Sequence, residues 1–167
     1  MAPRTPRPIV TVDVKKKTWE QPTPLHNRWH PEIPPVGEVK EGELFRVETV
    51  DWTGGQILDD DSEQFKEFHK INHLLELWQV HNLSGPIRVT DTSGLPAMPG
   101  DLLMVEICNL GPLPGDEWGF TGIFDRENGG GFLTDHFPAA SKAIWHFEGI
   151  FASSRHIPGY YLGVKIP

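Results

Sequence analysis

Breaker residues are the feature that most limits what this sequence can fold into, because 16 prolines and 17 glycines divide its 167 residues into short segments. Proline removes a backbone donor and fixes φ, and glycine loses more entropy than any other residue in regular structure. Long helices are therefore largely excluded. Short β-prone runs between the breakers, such as residues 8–12, favour a mainly β fold. We predict an antiparallel β-sandwich or barrel-like domain with one or two short helices.

Two turn-and-strand segments of the sequence resemble each other. A glycine-containing turn at residues 40–43 precedes the β-prone run 44–52, and a second such turn at residues 98–101 precedes the β-prone run 102–110. The pattern predicts two strands of similar construction, each entered through a turn. Turn-and-strand modules of this kind are common, so chance explains the similarity of the two segments better than internal duplication does.

Helical patterning is confined to two segments. Ser62 has the character of an N-cap, and apolar residues then recur at three- and four-residue steps as far as Trp78, which predicts an amphipathic helix packed on a sheet. A second, shorter helix is predicted for residues 138–145, followed by a strand over residues 147–152. The three consecutive glycines at 129–131 would lose too much entropy in regular structure, so they predict a turn that is a candidate ligand loop.

Charge and composition argue against several classes of partner. The formal net charge is -8 and the pI is near 5.4, which disfavours nucleic acids and anionic membrane surfaces. Basic residues are concentrated near the start, and we interpret residues 1–20 as a basic, extended N-terminal arm. No run approaches the roughly 20 apolar residues of a membrane span, and the single cysteine, Cys108, excludes an internal disulfide. We therefore expect a cytoplasmic protein.

The first candidate site is the run from Asp51 to Ile57, in which a carboxylate at the end of a predicted strand precedes Gly54 and Gly55. Glycines allow a ligand to approach the backbone closely. The arrangement is suited to holding a metal, a water molecule or an amide. From these residues alone, an aspartate that caps a β-turn is the favoured alternative.

Histidines form two further patterns. His26 and His30 lie in a proline-rich loop with a spacing that one metal centre can accommodate, although hydrogen bonding within the loop is the favoured interpretation. His69 and His73 are four residues apart on the predicted helix, which is the spacing used by zinc proteases. Lys70 occupies the position of the general base in that motif, so a solvated polar face is favoured there.

Longer stretches of sequence are more specific than any of these motifs. Six ordered segments that cover most of residues 8–159 resemble the N-terminal part of formamidases of the formamidase/acetamidase family. They are LHNRWHPEIPPV (25–36), DWTGGQI (51–57), LSGPIRV (83–89), PGDLL (99–103), ICNLGPLPGDEWGFTGIFDRENGGGFLTDHFP (107–138) and KAIWHFEGIFASSRHIPG (142–159). The resemblance implies hydrolysis of formamide, or of another small linear amide, to the carboxylate and ammonia.

The resemblance also implies a domain organisation. Residues 21–159 are predicted to form an N-terminal, formamidase-like β-rich domain, and residues 160–167 a divergent tail. Members of the family are considerably longer and have a mainly β fold with sandwich and barrel parts, so this chain would be an incomplete copy of a larger fold. Residues 63–80, where the first helix is predicted, also depart from the family pattern.

Carried over residue by residue, the resemblance implies a set of site residues. The predicted catalytic residues are Asp51, Gln56 and His26. The predicted substrate-binding residues are Asn27, Gly54, Gly55, Gly129, Gly130 and Gly131. A divalent metal such as zinc is an implied cofactor with unassigned ligands, and the implied partners are a small amide substrate and further copies of the chain in a homo-oligomer. The alternatives are a truncated, non-catalytic fragment and a β module that binds small amides without turnover.

Overall fold

The computed structural model describes residues 5–60 and 80–156. Within these ranges the protein is mainly β, as the density of breakers predicts, with seven short strands, two 3-10 helices and long irregular connections. The chain divides into two compact units. The first comprises residues 1–55 and 78–110, and the second comprises residues 56–77 and 111–167. No helix in the described ranges has the length and apolarity needed to cross a bilayer.

Two parallel strand pairs form the sheet structure of the first unit. The pairs are β1 (Arg7–Val10) with β3 (Phe45–Val47), and β2 (Gly37–Lys40) with β4 (Ile87–Thr90). Val10 on β1 and Val39 on β2 are buried and contribute to the core. The two strands pass close to each other at Gly37, where a Cβ would lie 2.6 Å from Cγ2 of Ile9. Glycine at this position therefore permits the approach.

A single antiparallel sheet forms the strand structure of the second unit. Its order is β5-β6-β7, with β5 at Trp118–Ile123, β6 at Ser141–Glu148 and β7 at Phe151–Ser153. A two-residue turn, Gly149-Ile150, joins β6 to β7, and Gly149 has a φ of 61°. Two-residue hairpin turns need a positive φ at the first position, which glycine adopts without strain. Ile144 on β6 is buried.

The prediction of a mainly β fold is confirmed. Among the described residues, antiparallel pairing of strands occurs in the sheet of the second unit, whereas the first unit combines parallel strand pairs with two isolated antiparallel bridges, His26 with Leu83 and Thr90 with Pro96. The connections between paired strands of the first unit, residues 11–44 and 41–86, are longer than the dozen or so residues that a parallel crossover needs. A β-prone run shows that a segment favours extended structure, but it does not show which partner the segment finds or in which direction.

The helix predicted for residues 138–145 is wrong. Residues 141–148 form β6, and its pairing with β5 on one edge and β7 on the other outweighs the helix preference of its alanine and lysine. The strand predicted for residues 147–152 is interrupted by the turn at Gly149-Ile150, so its two ends belong to β6 and β7.

The two turn-and-strand segments have different outcomes. The turn at residues 98–101 forms as predicted, with the N–H of Asp101 donating to the Met98 carbonyl at 3.0 Å, but the strand predicted for residues 102–110 has no strand partner among the described residues. The strand predicted for residues 44–52 is shortened to Phe45–Val47. The helix predicted for residues 62–78 lies outside the described residues.

Candidate functional site

Asp51 lies in a tight turn after β3. Its side chain is exposed, and both carboxylate oxygens accept hydrogen bonds. Oδ1 accepts from the backbone N–H of Thr53 at 2.7 Å and from the Thr53 hydroxyl, and Oδ2 accepts from the N–H of Gly55 at 2.9 Å. The Asp51 carbonyl accepts from the N–H of Gly54 at 2.9 Å. The carboxylate therefore caps this turn, and any role in binding would be additional to that.

Glycine is needed at the end of this turn for its backbone conformation. Gly54 and Gly55 have φ values of 72° and 78°, in the left-handed region that other residues rarely adopt. A Cβ at Gly55 would meet no atom of the described residues within 4 Å. The two glycines thus turn the N–H of Gly55 back onto the Asp51 carboxylate while leaving open space beside residue 55.

Residues 81–85, which we call the bridging segment, connect this turn to the histidine loop at residues 26–28. The N–H of His81 donates to the Trp52 carbonyl at 2.6 Å, and the two rings stack with centroids 5.6 Å apart. Two residues further on, the N–H of Leu83 donates to the carbonyl of His26 at 2.7 Å. The loops that carry Asp51 and His26 therefore lie along the same short segment, as a common site would require.

The imidazole of His26 is used within its own surroundings. Nε2 lies 2.7 Å from the carbonyl of Gly85, and Nδ1 accepts from the N–H of Arg28 at 3.3 Å. Since a carbonyl only accepts, the tautomer with hydrogen on Nε2 satisfies both contacts. His26 therefore fixes the histidine loop against the bridging segment, and the neighbouring Asn27 is half-buried in that loop.

The bridging segment contains two features that the sequence analysis missed. His81 has a φ of 55°, which is uncommon for a residue other than glycine, and non-glycine residues in this region are concentrated at functional sites. The hydroxyl of Ser84 is buried and has no hydrogen-bond partner among the described residues. The turn-prone pair His81-Asn82 could have indicated the first feature, but no local pattern indicates the second.

The three glycines at residues 129–131 form an irregular loop in the second unit, as predicted. The N–H of Gly130 donates to the Asp125 carbonyl at 2.8 Å, and the N–H of Gly131 donates to the Thr134 hydroxyl at 2.5 Å. A Cβ at Gly130 would overlap the Thr134 side chain, so the close approach of Thr134 requires glycine there. Gly129, with a φ of 109°, also has the left-handed conformation. The N–H groups of Gly130 and Gly131 therefore donate to acceptors within residues 125–134.

Gln56 begins the second unit and is followed by a segment held on β6. Nζ of Lys142 lies 3.1 Å from Oδ1 of Asp60 and 3.4 Å from the carbonyl of Leu58, and the Lys142 side chain is only 5% exposed. Nε2 of His146 lies 3.8 Å from Oδ1 of Asp59. Residues 142 and 146 share a face of the strand, so β6 positions the residues directly after Gln56.

The described residues do not fit a divalent metal such as zinc. No group of three or more His, Cys, Asp or Glu side chains in residues 5–60 and 80–156 is arranged to hold an ion. Both nitrogens of His26 contact backbone groups, and both oxygens of Asp51 accept from backbone N–H groups of their own turn. A metal therefore enters no step of the chemistry proposed below.

Comparison with known proteins identifies the family. The model of the Acetamidase/Formamidase family matches residues 11–166. The chain belongs to this family. The resemblance found in the sequence is thereby confirmed, including the identification of the chain with the N-terminal part of its relatives.

Relatives and a solved structure are similar over almost the whole chain. A formamidase of Methylophilus methylotrophus is 50% identical over 160 residues, which are 95% of this chain and 37% of the relative. An acetamidase of Mycolicibacterium smegmatis is 45% identical over 170 residues, which are 97% of this chain and 39% of the relative. The structure of a gamma lactamase from Delftia acidovorans matches 92% of this chain and 35% of its own, with 46% identity and a TM-score of 0.76. The chain thus spans well under half the length of these proteins.

Proposed function

We propose that this chain hydrolyses formamide, or another small linear amide, to the carboxylate and ammonia. The observation that carries the proposal is the family match over residues 11–166, together with 50% identity to a formamidase over 95% of the chain. The substrate is a small neutral amide, the protein acts in the cytoplasm, and the acidic chain has neither nucleic acid nor membrane as a partner. Assembly as a homo-oligomer is part of the same proposal.

Amide hydrolysis needs an oriented water molecule, donors for the carbonyl oxygen as it gains negative charge, and a proton for the departing amine. We assign the first task to Asp51. Its carboxylate is exposed and held in one orientation by Thr53 and Gly55. Oδ1 already accepts two hydrogen bonds from Thr53, whereas Oδ2 accepts one from Gly55, so a lone pair on Oδ2 remains to accept from water. The open space beside Gly55 is where a small amide would lie.

Other residues have supporting roles in this proposal. Asn27, in the histidine loop of the same unit, would hold the substrate amide, and Gln56 stays a predicted catalytic residue on the resemblance alone. The N–H groups of Gly54, Gly55, Gly130 and Gly131 already donate within their own loops. These glycines would therefore shape the loops, whereas the donors to the carbonyl oxygen would come from side chains or neighbouring residues. His26 would position the bridging segment.

An ammonia-release assay with formamide and acetamide tests the proposal. Asp51→Asn should lower turnover by about a hundredfold or more, since it removes the negative charge and replaces one acceptor oxygen of the carboxylate with an NH2 donor. Asp91→Asn is the matched control, because Asp91 caps a similar turn in the same unit and should leave turnover unchanged. Absence of ammonia release by the pure, folded chain would overturn the proposal that this chain is itself an enzyme.

One alternative has its own support. The chain spans 37–39% of the formamidase and acetamidase named above, and the polar groups of Asp51 and His26 already contact their own loops. These observations favour a truncated, non-catalytic fragment or a module that binds small amides without turnover. Calorimetric titration with formamide separates the two: heat of binding without ammonia release indicates the binding module, and no heat indicates the silent fragment.

A further inference from the structure

Residues 102–110 form an exposed and strongly apolar stretch of the chain. Every residue from 92 to 112 is exposed. Six large apolar side chains in nine residues are more than half exposed: Leu102 at 99%, Leu103 at 56%, Met104 at 87%, Val105 at 69%, Ile107 at 75% and Leu110 at 89%. Soluble proteins seldom leave so continuous an apolar run uncovered unless it contacts a partner.

The order of these side chains is typical of a buried strand. In an extended chain, Leu102, Met104 and Leu110 point to one face, while Leu103, Val105 and Ile107 point to the other. A strand with only one apolar face lies at the surface of a sheet, whereas a strand that is apolar on both faces is covered on both sides. This segment therefore needs a layer of protein on each face.

The backbone of the segment also lacks a partner. No N–H or carbonyl of residues 102–110 pairs with a backbone group elsewhere in the described ranges. The turn that precedes the segment is nevertheless well formed, since the N–H of Met98 donates to Oδ2 of Asp101 at 2.7 Å and Gly100 has a φ of 103°. The chain therefore enters the segment in a defined direction, as it enters β3 from residues 40–43.

We propose that residues 102–110 are a docking strand for the part of the family fold that this chain does not span. The gamma lactamase structure matches 92% of this chain with only 35% of its own, so a solved relative of this fold contains almost two thirds of a further polypeptide that could cover the segment. A strand that needs a neighbouring strand on each edge and a packed layer on each face requires a large further part of the fold. A single strand from a second copy of this chain would form backbone hydrogen bonds with only one edge of the segment and would leave the other edge and both faces uncovered.

The proposal is independent of amide hydrolysis and is tested by a chimera. This chain replaces the aligned 160 residues of the Methylophilus methylotrophus formamidase. Cys108, the single cysteine of the chain, lies in the docking strand and is exposed, so its alkylation by N-ethylmaleimide reports on cover. Mass spectrometry of the Cys108 peptide should show alkylation slowed at least about a hundredfold in the chimera relative to the isolated chain, as for a buried strand.

A second experiment measures docking directly. The remaining part of the same formamidase is co-expressed with this chain as a separate, tagged polypeptide, and the amount of co-purified chain is compared between variants. Ile107→Lys should lower recovery at least about tenfold, because it places a charge in the covered strand. Phe132→Lys is the matched control: Phe132 is fully exposed in the second unit and lies outside the docking strand. Its substitution should have no effect.

Three results would overturn the proposal. Rapid alkylation of Cys108 in a folded chimera would show that the segment stays uncovered in the complete fold. Equal recovery of the Ile107→Lys and Phe132→Lys variants would show that docking uses another surface. Protection of Cys108 in the isolated chain, with a dimer mass by light scattering that Ile107→Lys abolishes, would assign the segment to a homo-oligomer instead.

Discussion

The turns that begin at Asp51 and Asp91 have the same local construction. In each turn the aspartate carbonyl accepts from a glycine three residues on, and the carboxylate accepts from the N–H and hydroxyl of a Thr or Ser two residues on and from the N–H four residues on. The sequences Asp-Trp-Thr-Gly-Gly and Asp-Thr-Ser-Gly-Leu share only what this pattern requires. The bonding of Asp51 is therefore a property of the turn and does not by itself mark a site.

The two turns differ in their surroundings. Thr53 is completely buried, whereas the corresponding Ser93 is exposed. The fifth position is Gly55, with a left-handed backbone, in one turn and the exposed Leu95 in the other. Any special role of the Asp51 turn thus depends on packing beneath it and open space beside it, and paired substitutions can test each difference separately.

The largest difference should follow removal of the carboxylates. Asp51→Ala removes the two hydrogen bonds that the buried hydroxyl and the N–H of Thr53 donate to the carboxylate, which should lower the free energy of unfolding by about 2–3 kcal/mol. Asp91→Ala should cost clearly less, since the exposed Ser93 can bond to water. Urea unfolding of the two variants beside the wild type measures both losses. Equal losses of unfolding free energy would mean that the burial of Thr53 does not strengthen the contribution of the Asp51 turn to stability.

Glycine substitutions should give the next largest effect. Gly55→Ala and Gly94→Ala each place a methyl group at a left-handed position with no described atom within 4 Å, so both should lower the free energy of unfolding by about 1–2 kcal/mol, as measured in urea. Only Gly55→Ala should also lower ammonia release from formamide, because its methyl group enters the space proposed for the amide. Loss of turnover in both variants, or in neither, would contradict that placement.

Much of this structure follows from patterns that act over a few residues. The breakers predict a mainly β fold, residues 98–101 predict a turn, and the glycines at 129–131 predict an irregular loop, because each depends on backbone preferences alone. The same reasoning fails where a distant partner decides. Residues 138–145 include helix formers, yet β6 forms there because β5 and β7 lie beside it.

The candidate site was only partly accessible from the sequence for the same reason. The run 51–57 contains its turn residues in order, and His26 was expected to bond within its loop. That both loops contact residues 81–85 depends on tertiary structure, as does the buried hydroxyl of Ser84, which has no hydrogen-bond partner within residues 5–60 and 80–156. The catalytic and binding roles assigned to these residues stay predictions.

Substitutions that remove the hydroxyl of Thr53 or of Ser93 should separate the effect of side-chain burial on stability from the effect of the hydrogen bond. Thr53→Val keeps the shape of the side chain and removes the hydroxyl, which should cost about 1 kcal/mol in urea unfolding, whereas Thr53→Ser, which retains the hydroxyl, should cost less. Ser93→Ala, at the exposed position, should stay within about 0.5 kcal/mol of the wild type. A larger loss of unfolding free energy for Ser93→Ala than for Thr53→Val would contradict the expectation that the buried hydroxyl contributes more.

The smallest effect should be one of pH at Asp91. The hydrogen bond from the Ser93 hydroxyl, followed by that from the Leu95 N–H, holds the pKa of the Asp91 carboxyl below its usual range. A carboxyl whose folded pKa lies below the unfolded value, which is near 3.9, stabilises the fold above that value and loses this contribution as the pH falls through the folded pKa. The difference in unfolding free energy between the wild type and Asp91→Asn should therefore narrow as the pH falls below about 3.9. Glu43, whose pKa is also lowered, by Arg7, is present in both proteins, so its contribution cancels in the difference.

Urea unfolding of both proteins across this pH range measures the difference in unfolding free energy. Ser93→Ala removes the largest cause of the shift and should reduce the narrowing, while a gap that is constant with pH would mean that the Asp91 turn is stabilised by its shape rather than by its charge.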